Sequence, residues 1–112
     1  MASPVQNNQS SQLLVGIDVG STTAKIAVMD AASHEMLMRR YVRHHAQQAN
    51  CLKSLLAELD QRFEGIPMRA ALCGSGGAAL AEALDLPYVQ EVVANSLAVG
   101  ANYPTARTAI EL

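Results

Sequence analysis

The sequence predicts an α/β domain in which a mixed sheet is flanked by helices. Half of the 112 residues are hydrophobic but only 4% are aromatic, so the core must be built mainly from Ala, Leu, Val and Ile. Short apolar runs bounded by turn residues, which are typical of strands, alternate with segments whose apolar residues recur at helical spacing. A chain of this length can bury roughly two-thirds of the surface that its unfolded form exposes, which is enough for one core.

The first half of the chain predicts a three-strand antiparallel meander. Residues 1–12 are polar and rich in Gln, Asn and Ser, and we expect them to form a disordered leader before a folded domain at 13–112. LLVGIDVG (13–20) and AKIAVMD (24–30) are predicted strands, and the short GSTT at their junction indicates a hairpin. EMLMRRYVRH (35–44) is expected to be the third strand.

An amphipathic helix is predicted next. Asn50 is a favourable N-cap residue, and Gly65 and Pro67 stop the helix. The apolar residues recur at the spacing of one helical face: Leu52, Leu55, Leu56, Leu59 and Phe63. The opposite face is polar and carries Lys53, Glu58 and Arg62.

The second half predicts a strand, two helices and a last strand. MRAALCGSGG (68–77) is typical of a buried strand running into a glycine turn, and AALAEALDL (78–86) of a short helix. YVQEVVANSLAVGANY (88–103) is expected to begin as a strand and turn helical near Val92, and RTAIEL (107–112) to form one more strand. The predicted order of elements is therefore three strands, a helix, a strand, two helices and a last strand. This is the order of a ribonuclease-H-like half-domain.

The turn inside VGIDVGSTTAKIAVMD (15–30) indicates an anion site. A tight turn exposes consecutive backbone N–H groups, and Gly20 lacks the Cβ that would keep an anion away from them. Ser21, Thr22 and Thr23 add hydroxyl donors, and Lys25 adds a positive charge if its side chain folds back toward the turn. A P-loop and a G-x-G-x-x-G dinucleotide turn are both excluded, because neither pattern is present.

Asp18 is a carboxylate inside an apolar strand, next to this proposed anion site. Its position makes sense if a divalent cation lies between it and phosphate groups, usually through water, because Mg²⁺ keeps much of its hydration shell. The alternative is that Asp18 accepts hydrogen bonds from backbone donors at a strand end and that GSTT is an ordinary polar turn.

A second glycine-rich stretch, CGSGGAAL, repeats the pattern between a strand and a helix. Loop amides at Gly74, Ser75, Gly76 and Gly77 would face an anion together with a helix N-terminus. A close-packed strand-to-helix turn explains the glycines about as well. A hydrolase nucleophile at Ser75 is not expected, because Cys73 stands where G-x-S-x-G requires its first glycine.

Composition argues against several functions and sites. A net charge of −2 and a pI near 5.8 favour neither nucleic acid nor an anionic membrane as a partner, and no apolar run is long enough to span a bilayer. We expect a cytoplasmic protein.

Cys51 and Cys73 have no ligand partners at zinc spacing, so buried free thiols are predicted. MRRYVRHH (38–45) is interpreted as a charged edge strand, and its adjacent histidines His44 and His45 make a poor metal pair.

GIDVGSTTAKIAVMD resembles the first phosphate motif of the superfamily of actin, heat-shock chaperone and sugar kinase ATPases. Its D-x-G-S-T-T-x-K form is most similar to the BadF/BadG/BcrA/BcrD-type activases of 2-hydroxyacyl-CoA dehydratases and benzoyl-CoA reductases. LDLPYVQEVVANSLAVGANYPTARTAIEL also resembles the matching segment of longer activase-related proteins. The resemblance implies that Asp18 is the Mg²⁺-associated aspartate, that Gly20 to Thr23 with Lys25 form the ATP phosphate turn, and that Glu91 is an acid near the γ-phosphate. A solvated carboxylate at the start of a helix explains Glu91 equally well.

For such an activase the resemblance also implies a homodimer with a shared iron–sulfur cluster, and ATP hydrolysis that drives electron transfer to a dehydratase or reductase partner. The family pattern continues beyond Leu112 into a second phosphate loop and the cluster cysteines, so an N-terminal fragment is expected and Cys51 and Cys73 are not assigned to the cluster. The glycines of 74–77 also differ from the Gly-Tyr-Gly-Arg form of short activators.

Two other functions are carried as alternatives. A sugar or small-metabolite kinase of the same superfamily needs a catalytic aspartate near the start of the helix after Glu91, and VVANSLAVG contains none. A non-catalytic interaction domain would keep the fold and would retain its function when Asp18 is changed to Asn.

Overall fold

The computed structural model describes residues 12–110, so the predicted leader lies outside the described residues apart from Gln12. The described chain forms one four-stranded sheet with the strand order β3-β2-β1-β4, and three helices. The strands are β1 (Leu13–Val19), β2 (Thr23–Asp30), β3 (Met36–Arg43) and β4 (Met68–Cys73), and the helices are α1 (Gln48–Arg62), α2 (Gly77–Leu84) and α3 (Glu91–Asn102).

The sheet is mixed, as predicted. β1 pairs antiparallel with β2, and β2 pairs antiparallel with β3, which confirms the three-strand meander. β4 pairs parallel with β1 after the connection through α1. A parallel neighbour requires such a crossover, because the chain must return to the same end of the sheet before it enters the next strand.

The core lies on one face of the sheet. Side chains alternate along β1 and β2, so that every second residue is buried against α1, whose buried leucines are those of the predicted apolar face. The buried apolar residues are Leu13, Val15, Ile17, Val19, Ala24, Ile26, Val28, Met38, Leu52, Leu55, Leu59, Leu72 and Ala81. Small and branched aliphatic residues therefore build the core.

The start and the polar face of α1 differ from the prediction. The helix begins at Gln48, with Gln47 at the N-cap position, and Asn50 lies in its first turn. The chain turns earlier than expected because His45 and Ala46 take left-handed conformations with φ of 51° and 64°. Glu58 forms an ion pair with Arg40 of β3, so this carboxylate faces the rim of the sheet rather than open solvent.

The end of the chain also departs in part from the prediction. The strand-like start is confirmed, because Tyr88 bridges Leu72 in parallel before α3 begins at Glu91. The last strand is wrong within the described residues, since 107–110 form no strand and are exposed. A strand needs a partner edge for its backbone groups, and these residues contact none.

None of the helices formed by residues 12–110 has the length and hydrophobicity needed to cross a lipid bilayer.

Candidate functional site

Both glycine-rich stretches meet at one edge of the sheet. β1 and β4 are parallel, so the turn that follows Val19 and the loop that follows Cys73 leave the sheet side by side. The N–H of Gly76 donates to the carbonyl of Val19 at 2.8 Å, and a Cβ on Gly76 would lie 3.2 Å from Val19 Cγ1. Two segments about 55 positions apart in the sequence therefore form one surface.

Gly74, at the start of the second loop, packs directly against Asp18. Its φ is 95°, in the left-handed region, and a Cβ there would overlap both the Asp18 carboxylate and the Val19 carbonyl group. Packing thus explains this glycine, as the alternative interpretation of the loop expected. The same packing places the carboxylate of Asp18 against the mouth of the second loop.

Gly20, Ser21 and Thr22 connect β1 to β2, and Ser21 and Thr22 form the two-residue tip of the turn. The N–H of Gly20 donates to the carbonyl of Thr23 at 2.8 Å, and both tip residues are exposed. Neither tip residue has a positive φ, unlike the primed turns that hairpins favour. A Cβ at Gly20 would meet only the Thr23 carbonyl, at an ordinary 3.6 Å, so neither packing nor backbone conformation requires this glycine.

Asp18 and Lys25 are direct neighbours on β1 and β2 and lie on the face opposite to the core. Lys25 Nζ is 3.5 Å from Asp18 Oδ2 and 5.5 Å from the centroid of the Tyr41 ring. The lysine therefore lies beside Asp18 on the sheet face instead of folding back to the turn. Because the two side chains are 35% and 49% exposed, water screens the pair and leaves the carboxylate accessible.

An apolar groove of about 700 Å³ runs along this second face, between the sheet and α3. Gly16, Ala27 and Ala71 form its floor, and Ala94 and Leu97 of α3 form part of its wall. No residue of α3 is buried, although Val92 and Leu97 are both apolar. Asp18, Lys25 and Arg39 also line the groove.

Glu91 is the first residue of α3 and is half-buried. Tyr88 stands beside Leu72 of β4, which in turn stands beside Ile17 of β1. Because these three segments run parallel, Glu91 follows at the same edge of the sheet as Asp18. Strands are spaced about 4.8 Å apart, so its segment lies about 10 Å from β1.

Two residues hold these loops and were not predicted as site residues. His44 Nε2 lies 2.8 Å from the carbonyl oxygen of Gly20, and the Tyr88 hydroxyl donates to the carbonyl of Gly74 at 2.8 Å. Tyr88 also packs on Gly77, where a Cβ would come within 3.2 Å of the ring. The only signal in the sequence was that His44 is the last residue of a predicted strand and that Tyr88 is the first residue of another strand-like segment.

Cys51 and Cys73 are not joined by a disulfide, and both are only half-buried rather than buried as predicted. Cys51 packs against the core from α1, whereas Cys73 lines the groove on the other face. Among residues 12–110, no group of three or more His, Cys, Asp or Glu side chains is arranged to hold a metal ion. A metal caged entirely by protein ligands is therefore absent from the described part of the chain.

Comparison with solved structures identifies the fold. The chain is similar to a ROK family transcriptional regulator, a homologue of the E. coli MLC protein, with a TM-score of 0.56 and 17% identity over 82% of this chain and 31% of that one. At this level of identity the likeness shows the fold alone, and the predicted α/β ribonuclease-H-like half-domain is confirmed. No protein-family model and no curated protein matches the sequence.

Two further similar structures are the Ppx/GppA family member of Aquifex aeolicus and an exopolyphosphatase from Cytophaga hutchinsonii. Both are 12% identical to this chain, with TM-scores of 0.46 and 0.44. The chain covers 40% and 34% of their lengths, respectively, and thus spans less than half of each of these two structures.

Proposed function

We propose that this chain is the first phosphate-binding half of an actin-like ATPase domain, which binds Mg²⁺-ATP at the edge of the sheet where β1 and β4 end. The observation that carries this proposal is the meeting of three features at one edge. Asp18, the hydroxyl-rich turn at 20–23 and the glycine loop at 74–77 are joined there by the bond from Gly76 to Val19.

The donor groups fit a hydrated magnesium ion. Mg²⁺ usually keeps several waters and binds through one or two carboxylates together with substrate phosphates, so it does not need a cage of protein ligands. Asp18 offers one accessible carboxylate at the site. In this proposal Asp18 holds the hydrated ion through water, and the ion supplies the positive charge that offsets the phosphates.

The turn and the second loop would contact the phosphates directly. Ser21 and Ser75 stand exposed at the tips of the two loops, and no hydrogen bond to either is found within residues 12–110. Gly20, which the fold itself does not require, leaves room for an anion close to the backbone. Backbone N–H groups and hydroxyls are good donors to phosphate oxygens.

Glu91 is proposed to act at the γ-phosphate end of the nucleotide, where it would orient or deprotonate the attacking water. Its position at the same edge as Asp18, about two strands away, is compatible with a polyphosphate lying between them. A carboxylate can serve as a general base only if it is within hydrogen-bond reach of that water once the nucleotide is bound.

At a finer level we propose an activase of the BadF/BadG/BcrA/BcrD type, on the resemblance of D-x-G-S-T-T-x-K. The native protein would form a homodimer, hold an iron–sulfur cluster and pass electrons to a 2-hydroxyacyl-CoA dehydratase or a related reductase. The described residues do not fit the cluster, because Cys51 and Cys73 lie on opposite faces of the sheet. Cluster ligands would have to lie elsewhere in the native protein.

The test uses the native protein purified without oxygen, in which iron, acid-labile sulfide and ATP hydrolysis are measured in one sample. Iron with hydrolysis supports the activase. Phosphoryl transfer to a small metabolite without iron identifies a kinase, and the absence of both leaves an interaction domain.

The site itself is tested by Asp18→Asn with Asp60→Asn as the matched control, because Asp60 is an exposed carboxylate on α1. We expect Asp18→Asn to lower hydrolysis by about two orders of magnitude or more, as for the loss of one electrostatic catalytic group, and Asp60→Asn to leave it unchanged. Equal activity of the two variants would refute the assignment of Asp18.

A further inference from the structure

His44 is a buried polar residue that touches the tip of the first phosphate turn. It follows β3 directly and is only 3% exposed. Its backbone N–H donates to the carbonyl of Thr22 at 3.0 Å, and its ring Nε2 lies 2.8 Å from the carbonyl oxygen of Gly20. One residue therefore binds the carbonyl groups on both sides of Ser21.

The second ring nitrogen determines the protonation state of His44. The backbone N–H of Ala46 lies 3.1 Å from Nδ1 and is able only to donate, so Nδ1 accepts through its lone pair. The ring proton is then on Nε2, which donates to Gly20. The imidazole is neutral with both nitrogens satisfied, which offsets the cost of burying a polar ring.

Because a peptide unit is planar, the contact of His44 with the Gly20 carbonyl also fixes the direction of the Ser21 N–H. The carbonyl of Gly20 and the N–H of Ser21 belong to one trans peptide unit and point in opposite directions. Because His44 holds the Gly20 carbonyl on the buried side, the Ser21 N–H points away from His44, out of the packed side of the hairpin. The Gly20 N–H belongs to the preceding peptide unit and donates to the Thr23 carbonyl inside the hairpin, so the outward donor at this position is the Ser21 N–H.

We propose that His44 is a positioning residue, which holds the Ser21 amide outward as a donor to a phosphoryl oxygen of the nucleotide. This inference rests on the proposed function for its ligand. His44 itself does not touch the phosphate, because its ring faces the carbonyl side of the turn. Its role is to prevent the peptide between Gly20 and Ser21 from rotating and closing the hairpin on itself.

The test compares His44→Gln with His44→Asn in the native protein. Gln places an amide donor near the position of Nε2, whereas Asn provides only an acceptor near Nδ1 for Ala46. Mg²⁺-ATP affinity is measured by calorimetry, and thermal melting monitors the fold. We expect Asn to weaken binding about tenfold, as for the loss of one well-placed hydrogen bond, and Gln to restore most of it.

The tautomer provides an independent readout. Nitrogen NMR of the histidine-labelled native protein is expected to show the proton of His44 on Nε2, and a proton on Nδ1 would overturn the inference. Equal affinity of wild type and His44→Asn, or equal weakening by Gln and Asn, would also overturn it. If the wild type itself fails to bind Mg²⁺-ATP, the proposed function fails, and the role of His44 toward phosphate fails with it.

Discussion

The two faces of the sheet are built from the same strands but serve different purposes. On the face toward α1, Ile17, Ile26 and Leu72 stand side by side on three strands and are almost fully buried. On the other face, Asp18 and Lys25 form a half-exposed ion pair next to Tyr41, which is 70% exposed. Alternation along a strand thus separates the residues that stabilise the domain from those that are available to a ligand.

The difference shows where the free energy of folding is concentrated and where it is not. The α1 face excludes water and is covered by three buried leucines of the helix. The opposite face carries a groove and a helix without a buried residue. Substitutions of similar size should therefore have very different effects on the two faces.

The largest effect is expected from Ile17→Ala on the buried face. Ile17 is 1% exposed, and truncating a buried aliphatic side chain costs about 2–5 kcal/mol of unfolding free energy because a cavity remains. Tyr41→Ala is the control on the open face and should cost no more than about 1 kcal/mol, the value of an exposed cation–π contact. Chemical denaturation measures both. A comparable loss for Tyr41→Ala would show that the open face is covered in the native protein.

A smaller but still clear effect is expected at the junction of the two loops. Gly74→Ala forces a Cβ into Asp18 and Val19 at a φ of 95°, so we expect a loss of about 1–3 kcal/mol. Gly16→Ala, in the middle of β1, is the matched control because a Cβ there meets nothing within 4 Å. That control should be neutral or should stabilise the protein by about 0.5–1 kcal/mol. Thermal melting of both variants tests the contrast.

Loss of the ion pair on the open face should have only a weak effect. Lys25→Gln removes the charge 3.5 Å from Asp18, and pairs with this exposure contribute about 1 kcal/mol or less. Denaturation at low and at high salt should show that the difference from wild type shrinks as salt screens the pair. A loss that is unaffected by salt would mean that Lys25 acts through packing of its stem.

The smallest effect concerns the turn after β2. The pKa of the Asp30 carboxyl is lowered, mainly because the backbone N–H of Ser33 donates to it. Hydrogen bonds from the Ser33 side chain and the Ala32 N–H and the charge of His34 lower this pKa further, and slight desolvation opposes them. A lowered pKa stabilises the fold above the ordinary value of 3.8, and that contribution is lost as the pH falls through the folded-state pKa. Asp30→Asn should therefore narrow the difference in melting temperature between neutral and acidic pH. If Asp30→Asn leaves this difference in melting temperature unchanged, the lowered pKa of the Asp30 carboxyl is contradicted.

Much of the fold was predictable because its signals are local. The short apolar runs that predicted β1 and β2 and the helical spacing of the α1 leucines depend only on near neighbours in the sequence, and both elements are confirmed. The short turn after Val19 likewise permitted only an antiparallel hairpin. The start of α1 was misplaced because Asn50 is a good cap by type, while the turn at His45 and Ala46 leaves no such mark in the sequence.

The amino-acid sequence by itself therefore determined the three-strand meander, the apolar face of α1 and the two candidate loops, since each follows from spacing along the chain. Tertiary structure alone decided that Asp18 meets Gly74, that Lys25 lies toward Tyr41 and that His44 holds the Gly20 carbonyl. It also decided that residues 107–110 form no strand. Each of these depends on which segments share an edge or a face of the sheet, and long-range pairing is set by packing of the whole core rather than by any local pattern.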